Sequence, residues 1–162
     1  MSQPFRQVNS GERSLTPGAP PRDSPIVLDT NVVLDWLLFN NPSSAHFAKA
    51  IAKCELRWVA SLAMRDELAV VLGRGLAQAR NADATAVLAA WDTHVTVVEE
   101  ASALPAALGL QCSDPDDQKF LELAHAEGAC WLLSRDRAVL KLARRAARVG
   151  LRISVPEGWP AP

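Results

Sequence analysis

From residue 26 onward, short apolar runs alternate with stretches in which apolar residues return every three or four positions. The first run, Ile26-Val27-Leu28, is uninterrupted, the pattern of a strand covered on both faces, and it stops at Asp29-Thr30-Asn31. A helix is expected over 32–39, closed by the turn signal Asn40-Asn41-Pro42. Ser43 or Ser44 then caps a helix with Phe47, Ile51 and Cys54 on one face. A short strand over 57–60 leads to Ser61, the cap of a helix that turns Met64, Leu68, Val71 and Leu72 inward and ends near Gly73-Arg74-Gly75. A helix over 82–91 with Val87, Leu88 and Trp91 on one side precedes a strand over 95–98. Another helix runs from Pro115 to Gly128 on Phe120, Leu121 and Ala124, with the glycine as its C-terminal stop. Strands are expected over 130–133 and 151–155, separated by a continuous helix over 137–149 that Gly150 closes. Five strands with helices between them predict an α/β fold, a three-layer α/β/α sandwich around a mainly parallel five-stranded sheet.

Residues 1–24 break this pattern. Pro4, Pro17, Pro20 and Pro21, with Gly11, Gly18 and several serines, carry no apolar period, and a disordered leader is expected there. The folded unit is expected over 25–158, with 159–162 as a tail in which Trp159 is more exposed than Trp58, Trp91 and Trp131 of the core. Trp36 reads as a core or a dimer-contact residue. A chain of 162 residues with 49% hydrophobic residues suits one domain with an ample core. No apolar stretch approaches the roughly 20 residues of a membrane span, and no secretory segment is evident, so a cytoplasmic protein is expected. Cys54, Cys112 and Cys130 are odd in number and lack CxxC spacing, which argues for free thiols and against a zinc site.

Asp29 falls at the C-terminal edge of the first strand, where ligands bind in open α/β sheets. It is either a cap for the next helix or one wall of an acidic site. Three other places bear on that choice: Glu67 on a helix after the second strand, Asp117 in the cluster Asp114-Pro115-Asp116-Asp117, and Asp136 just after the fourth strand. Glu67 on its own reads equally as a surface residue beside Asp66, and Asp114 and Asp116 as charges that suit a helix N-terminus. Carboxylates brought close repel and raise one another's pKa, a conflict that a hard divalent cation such as Mg²⁺ or Mn²⁺ removes. Such a cation would serve phosphodiester hydrolysis by activating water and neutralising developing charge. His46, His94 and His125 show no partners for a nucleophilic triad.

Taken in order, Val27-Leu28-Asp29-Thr30-Asn31, Ser61 with Glu67-Leu68, Asp114-Pro115-Asp116-Asp117-x-x-Phe120-Leu121 and Leu133-Ser134-Arg135-Asp136 resemble the PIN-domain family of ribonucleases, in particular the bacterial, VapC-like branch of toxins from toxin–antitoxin systems. The resemblance spans about 26–157. It implies a five-stranded parallel sheet, Mg²⁺- or Mn²⁺-dependent cleavage of single-stranded RNA, and often a homodimer held inactive by a cognate antitoxin. Residue by residue, Asp29, Glu67, Asp117 and Asp136 match the family's metal-binding and catalytic acids, with Asp116 or Asp114 standing in for Asp117 if the helix begins in another register. Asn31 and Ser134 match polar positions that orient the acids or touch phosphate, and Thr30 and Asp116 stand beside the acids as further supporting groups. Cys112 departs from the branch, where a charged residue is expected.

The one patterned basic feature is Arg137, Lys141, Arg144, Arg145 and Arg148, a stripe about 100° wide on the last helix with Leu140, Ala143 and Ala147 opposite. It reads as a solvated face, an RNA-phosphate surface or a docking face for an acidic partner, and it is expected to lie away from the acids. Two other functions compete with a nuclease. One is a non-catalytic RNA- or protein-binding domain of the same fold. The other is a haloacid-dehalogenase-type phosphatase with Asp29 as nucleophile, which needs an acid where Asn31 stands and a later strand-end lysine that is missing.

Overall fold

The computed structural model describes residues 21–160; most of the expected leader lies outside the described residues. The chain forms β1 (Ser24–Leu28), α1 (Thr30–Leu37), α2 (Ala45–Ala52), β2 (Leu56–Ala60), α3 (Leu62–Val71), α4 (Ala77–Ala79), α5 (Ala84–His94), β3 (Thr96–Val97), α6 (Gln118–Ala126), β4 (Trp131–Leu133), α7 (Arg137–Leu140), α8 (Ala143–Ala146) and β5 (Arg152–Ser154). All five strands are parallel, in the order β3-β2-β1-β4-β5. Consecutive strand residues point to opposite faces, and Ile26, Val27 and Leu28 of β1 and Trp58, Val59 and Ala60 of β2 are all buried. Both faces of the sheet are therefore covered, which is why these strands read as unbroken apolar runs and not as alternating ones.

The strand order fixes where a ligand can sit. From β1 the chain winds outward through β2 to β3, then returns to place β4 on the other side of β1 and β5 beyond it. The direction of winding reverses between β1 and β4, and the C-terminal ends of the strands at such a reversal are where open α/β sheets bind their ligands. Leu28 pairs with Leu133 there, and the backbone N–H of Asp29 donates to the Leu133 carbonyl at 3.0 Å, so both strands finish in step.

Several local expectations differ from the structure. The helix that starts at Leu62 does not end at Gly73-Arg74-Gly75. It passes through a π-type turn over Leu72–Leu76, with Gly75 at φ +92°, and continues through α4. A glycine in the left-handed region absorbs the kink and lets Leu72 and Ala77 both stay buried. The helix expected over 137–149 is broken. The N–H of Leu142 donates to Val139 and that of Arg145 to Leu142, tight three-residue spacings that separate α7 from α8 and turn Val139, Leu142 and Ala146 inward. Ala147, expected on the apolar side, is exposed. Cys54 lies beyond α2 at φ +56° and is exposed, so it does not share the face of Phe47 and Ile51.

Near the C-terminus Trp159 is 8% exposed and packs edge-on against Trp131 with ring centroids 4.9 Å apart, which docks this end of the described chain. Trp36 lies between Phe47 and Trp58 at 5.6 and 5.5 Å, a partly buried residue packed on the core. Among the described residues no helix is long and apolar enough to cross a membrane.

Candidate active site at the ends of the first and fourth strands

Asp29 is 3% exposed and both of its oxygens are engaged. Oδ1 accepts from the Val32 N–H at 2.9 Å, capping α1, while Oδ2 accepts from the Ser134 hydroxyl and from the Arg135 N–H at 3.2 Å. One carboxylate thus caps α1 and also ties it to the turn after β4. Every donor to it is neutral. Burial raises its pKa, with the bonds from Ser134, Val32, Arg135 and Asn31 pulling the other way. Asn31 contributes through its backbone, and its side chain is exposed.

The residues after β4 are built around the fully buried Ser134. Its N–H donates to the Ser154 carbonyl at 3.0 Å on β5, and its hydroxyl oxygen accepts from the Asp136 N–H at 3.0 Å. Asp136 in turn caps α7 by accepting from Ala138 N–H at 2.6 Å. Arg135 points the opposite way and ties this turn to the rest of the fold: it ion-pairs with Asp35 of α1 and with Glu157 at 2.9 Å, and donates to the Ser43 hydroxyl at 3.0 Å.

The third wall is the cluster before α6. Asp114 accepts from the Asp116 N–H at 3.0 Å and begins a short 3-10 turn over Pro115–Asp117. Asp116 is exposed. Asp117 is the member whose surroundings are most acidic. Its carboxyl is pushed up to about 6, by burial first and then by the charges of Asp136, Asp114 and Asp29, with Lys119 as a partial offset. Cys112 is buried with its N–H bonded to Gln118 Oε1 at 2.7 Å, so packing and backbone satisfaction account for an apolar residue at that position.

Glu67 comes from α3. Its Oε1 accepts from the Thr30 hydroxyl at 3.0 Å, one residue beyond Asp29, and its Oε2 ion-pairs with Lys119 of α6. Neighbouring Asp66 is exposed, so of the two adjacent acids the inner one is turned toward α1 and α6. Sequence alone gives Lys119 no role. A cation in the first turn of a helix is disfavoured by the macrodipole unless a carboxylate holds it there, and that is the available signal.

Among the described residues, no three acid, histidine or cysteine side chains stand close enough to hold one ion together. The donor set nevertheless fits a hard divalent cation. It is made of carboxylate and hydroxyl oxygens, it contains no histidine, and Asp117 is raised by burial and then by its acidic neighbours.

Four residues of the basic stripe share one cleft, and none of the four acids is among its lining residues. Lys141, Arg144, Arg145 and Arg148 line a cleft of about 510 Å³ whose other wall carries Gln111 and Ser113, directly before Asp114. Arg145 reaches across to donate to the Gly109 carbonyl at 3.2 Å. Arg137 is exposed outside that lining. The break between α7 and α8 packs this segment on Leu142 and Ala146 and leaves its basic side facing Gly109, Gln111 and Ser113.

Comparison with known proteins adds to this geometry. The family model for the PIN domain matches residues 25–138, a span that includes all four acids. Among solved structures, VapBC2 from Rickettsia felis bound to a DNA fragment from its promoter superposes with a TM-score of 0.59 at 15% identity, over 80% of this chain and 96% of that one. PAE2754 from Pyrobaculum aerophilum gives a TM-score of 0.48 at 18% identity, over 77% and 97% of the two chains. Identities this low speak for the fold alone. Among curated proteins none matches.

Proposed function

Given that this chain belongs to the PIN-domain family, we propose that it is a metal-dependent endoribonuclease that cleaves single-stranded RNA through an activated water. The observation that carries this reading is the surroundings of Asp117, whose carboxyl is raised by burial first and then by the charges of Asp136, Asp114 and Asp29, acids that stand at the C-terminal ends of β1 and β4 and before α6. Asp29, Glu67, Asp117 and Asp136 would hold Mg²⁺ or Mn²⁺, with Thr30 and Ser134 fixing two of them. When bound, the cation supplies Lewis acidity toward a water and charge neutralisation at the phosphate. Both oxygens of Asp29 are already held, from α1 and from the turn after β4. The guanidinium and ammonium groups of the basic cleft would bind backbone phosphates and pass the strand toward Ser113 and Asp114.

The same reading makes the chain the toxin of a toxin–antitoxin pair, with a cognate antitoxin and a homodimer as expected partners. The VapBC2 structure is of a toxin–antitoxin complex, which supports an antitoxin for this chain by analogy of fold. The spacing of the acids favours a second reading, a domain that binds RNA or protein without cutting. A phosphatase with Asp29 as nucleophile finds no support, because the chain's family is another. Incubating the protein with labelled single-stranded RNA in Mn²⁺ and in chelator separates the readings. Cleavage that needs both Mn²⁺ and Asp29 supports the nuclease, whereas binding without cleavage in either condition supports the second reading.

A further inference from the structure

We propose that Lys119 is the internal counter-ion of this site, competing with a divalent cation for Glu67 and thereby setting how tightly the cation is held. This rests on the nuclease reading above. Both oxygens of Glu67 are taken, Oε1 by the Thr30 hydroxyl at 3.0 Å and Oε2 by the Lys119 ammonium. A hydroxyl can turn and accept where it donated, but an ammonium has no acceptor and must leave before a cation takes its place. Lys119 is also held by the Asp116 carbonyl at 2.7 Å and lies 5.0 Å from the centre of the Phe120 ring. The pair is formed where one end of α6 meets α3, and the two side chains are 32% and 34% exposed, so water reaches them and exchange is open.

The fold provides a place for the displaced ammonium. Lys119 lines a cleft of about 110 Å³ together with Glu100 and Glu122, two carboxylates that Glu67's release would make the nearest alternatives within that cleft. Exchange of one cation for another at Glu67 also keeps the charge of the acid group balanced in both states. In the metal-free protein the lysine neutralises Glu67 and eases Asp117. With the cation bound that work passes to the metal, and Lys119 retires toward Glu100 and Glu122.

The sign of the effect distinguishes a competitor from a structural support. Removing a group that merely shapes the site loosens the metal; removing a competitor tightens it. Mn²⁺ titrated into the full chain by calorimetry should bind Lys119→Met more tightly than the natural sequence by roughly fivefold, the upper range for an ion pair that water reaches. Lys119→Arg keeps a cation on Glu67 and should bind close to the natural sequence. Adding Glu67→Gln should weaken binding in every background and remove the difference between lysine and methionine. A melting curve in chelator confirms that Lys119→Met is folded. Binding that is unchanged or weaker in Lys119→Met, in a protein whose Mn²⁺ uptake still requires Asp29, would overturn the counter-ion role and leave the nuclease reading standing. Uptake that does not require Asp29 would overturn both.

Discussion

The hydroxyl of Ser134 donates to Oδ2 of Asp29, joining residues 105 apart in sequence across the junction where the sheet reverses its winding. That bond sets one acid against the turn that carries another, since the same Ser134 oxygen receives the Asp136 N–H. Sheet topology, and not local sequence, brings these groups together: β1 and β4 are neighbours only because the chain returns past its own start.

Ser134→Ala is expected to lower stability by about 1–3 kcal/mol, the cost of leaving a buried acceptor one donor short. Asp29 would keep only the Arg135 N–H, at 3.2 Å, on Oδ2, and its carboxyl would rise further. Urea unfolding in chelator measures this as a lower midpoint at unchanged slope. A midpoint equal to that of the natural sequence would show that the bond contributes nothing.

The pH dependence of the metal-free protein follows from Asp117. Its carboxyl titrates near 3.8 when unfolded and is pushed up to about 6 in the fold. Between those values the folded chain holds a proton that the unfolded chain has released, so this group's share of the stability is present below about pH 4 and lost as the pH rises through 6. Asp92 and Glu157, held low by Arg65 and Arg135, act in the opposite direction in any variant that retains them. The comparison is therefore between two melting curves. Asp117→Asn should match the natural sequence near pH 4 and exceed it at pH 7; equal gaps at both would contradict the crowding of the acids.

Strands β1 and β4 are legible because buried parallel strands are written as unbroken apolar runs, and Asp29 stands out as a charge at the end of one. The departures have physical causes that periodicity does not encode. Apolar spacing places Leu72 and Ala77 on a buried side but does not show that Gly75 takes a left-handed conformation between them. The same spacing cannot tell a four-residue from a three-residue hydrogen bond, and the break at Leu142 depends on that choice. Lys119 and Arg135 were not legible as site residues because their partners, Glu67, Asp35 and Glu157, lie far along the chain.

The cleft itself makes a measurable claim about RNA. Arg144→Glu with Arg148→Glu leaves the buried Leu142 and Ala146 untouched, so the fold should persist. Affinity for single-stranded RNA should fall, and its dependence on salt should flatten by about 0.7 in log–log slope for each phosphate that is no longer bound. Unchanged affinity and slope would return the stripe to an ordinary solvated surface.

The most direct test is a crystal of the protein grown with Mn²⁺ and measured at the manganese absorption edge. The proposal that these acids form one cation site predicts an anomalous peak ligated by Asp29 and Asp117, with Glu67 and Asp136 turned toward it and the Glu67–Lys119 pair opened. A strong peak elsewhere on the chain, or none between these side chains at saturating Mn²⁺, would contradict it.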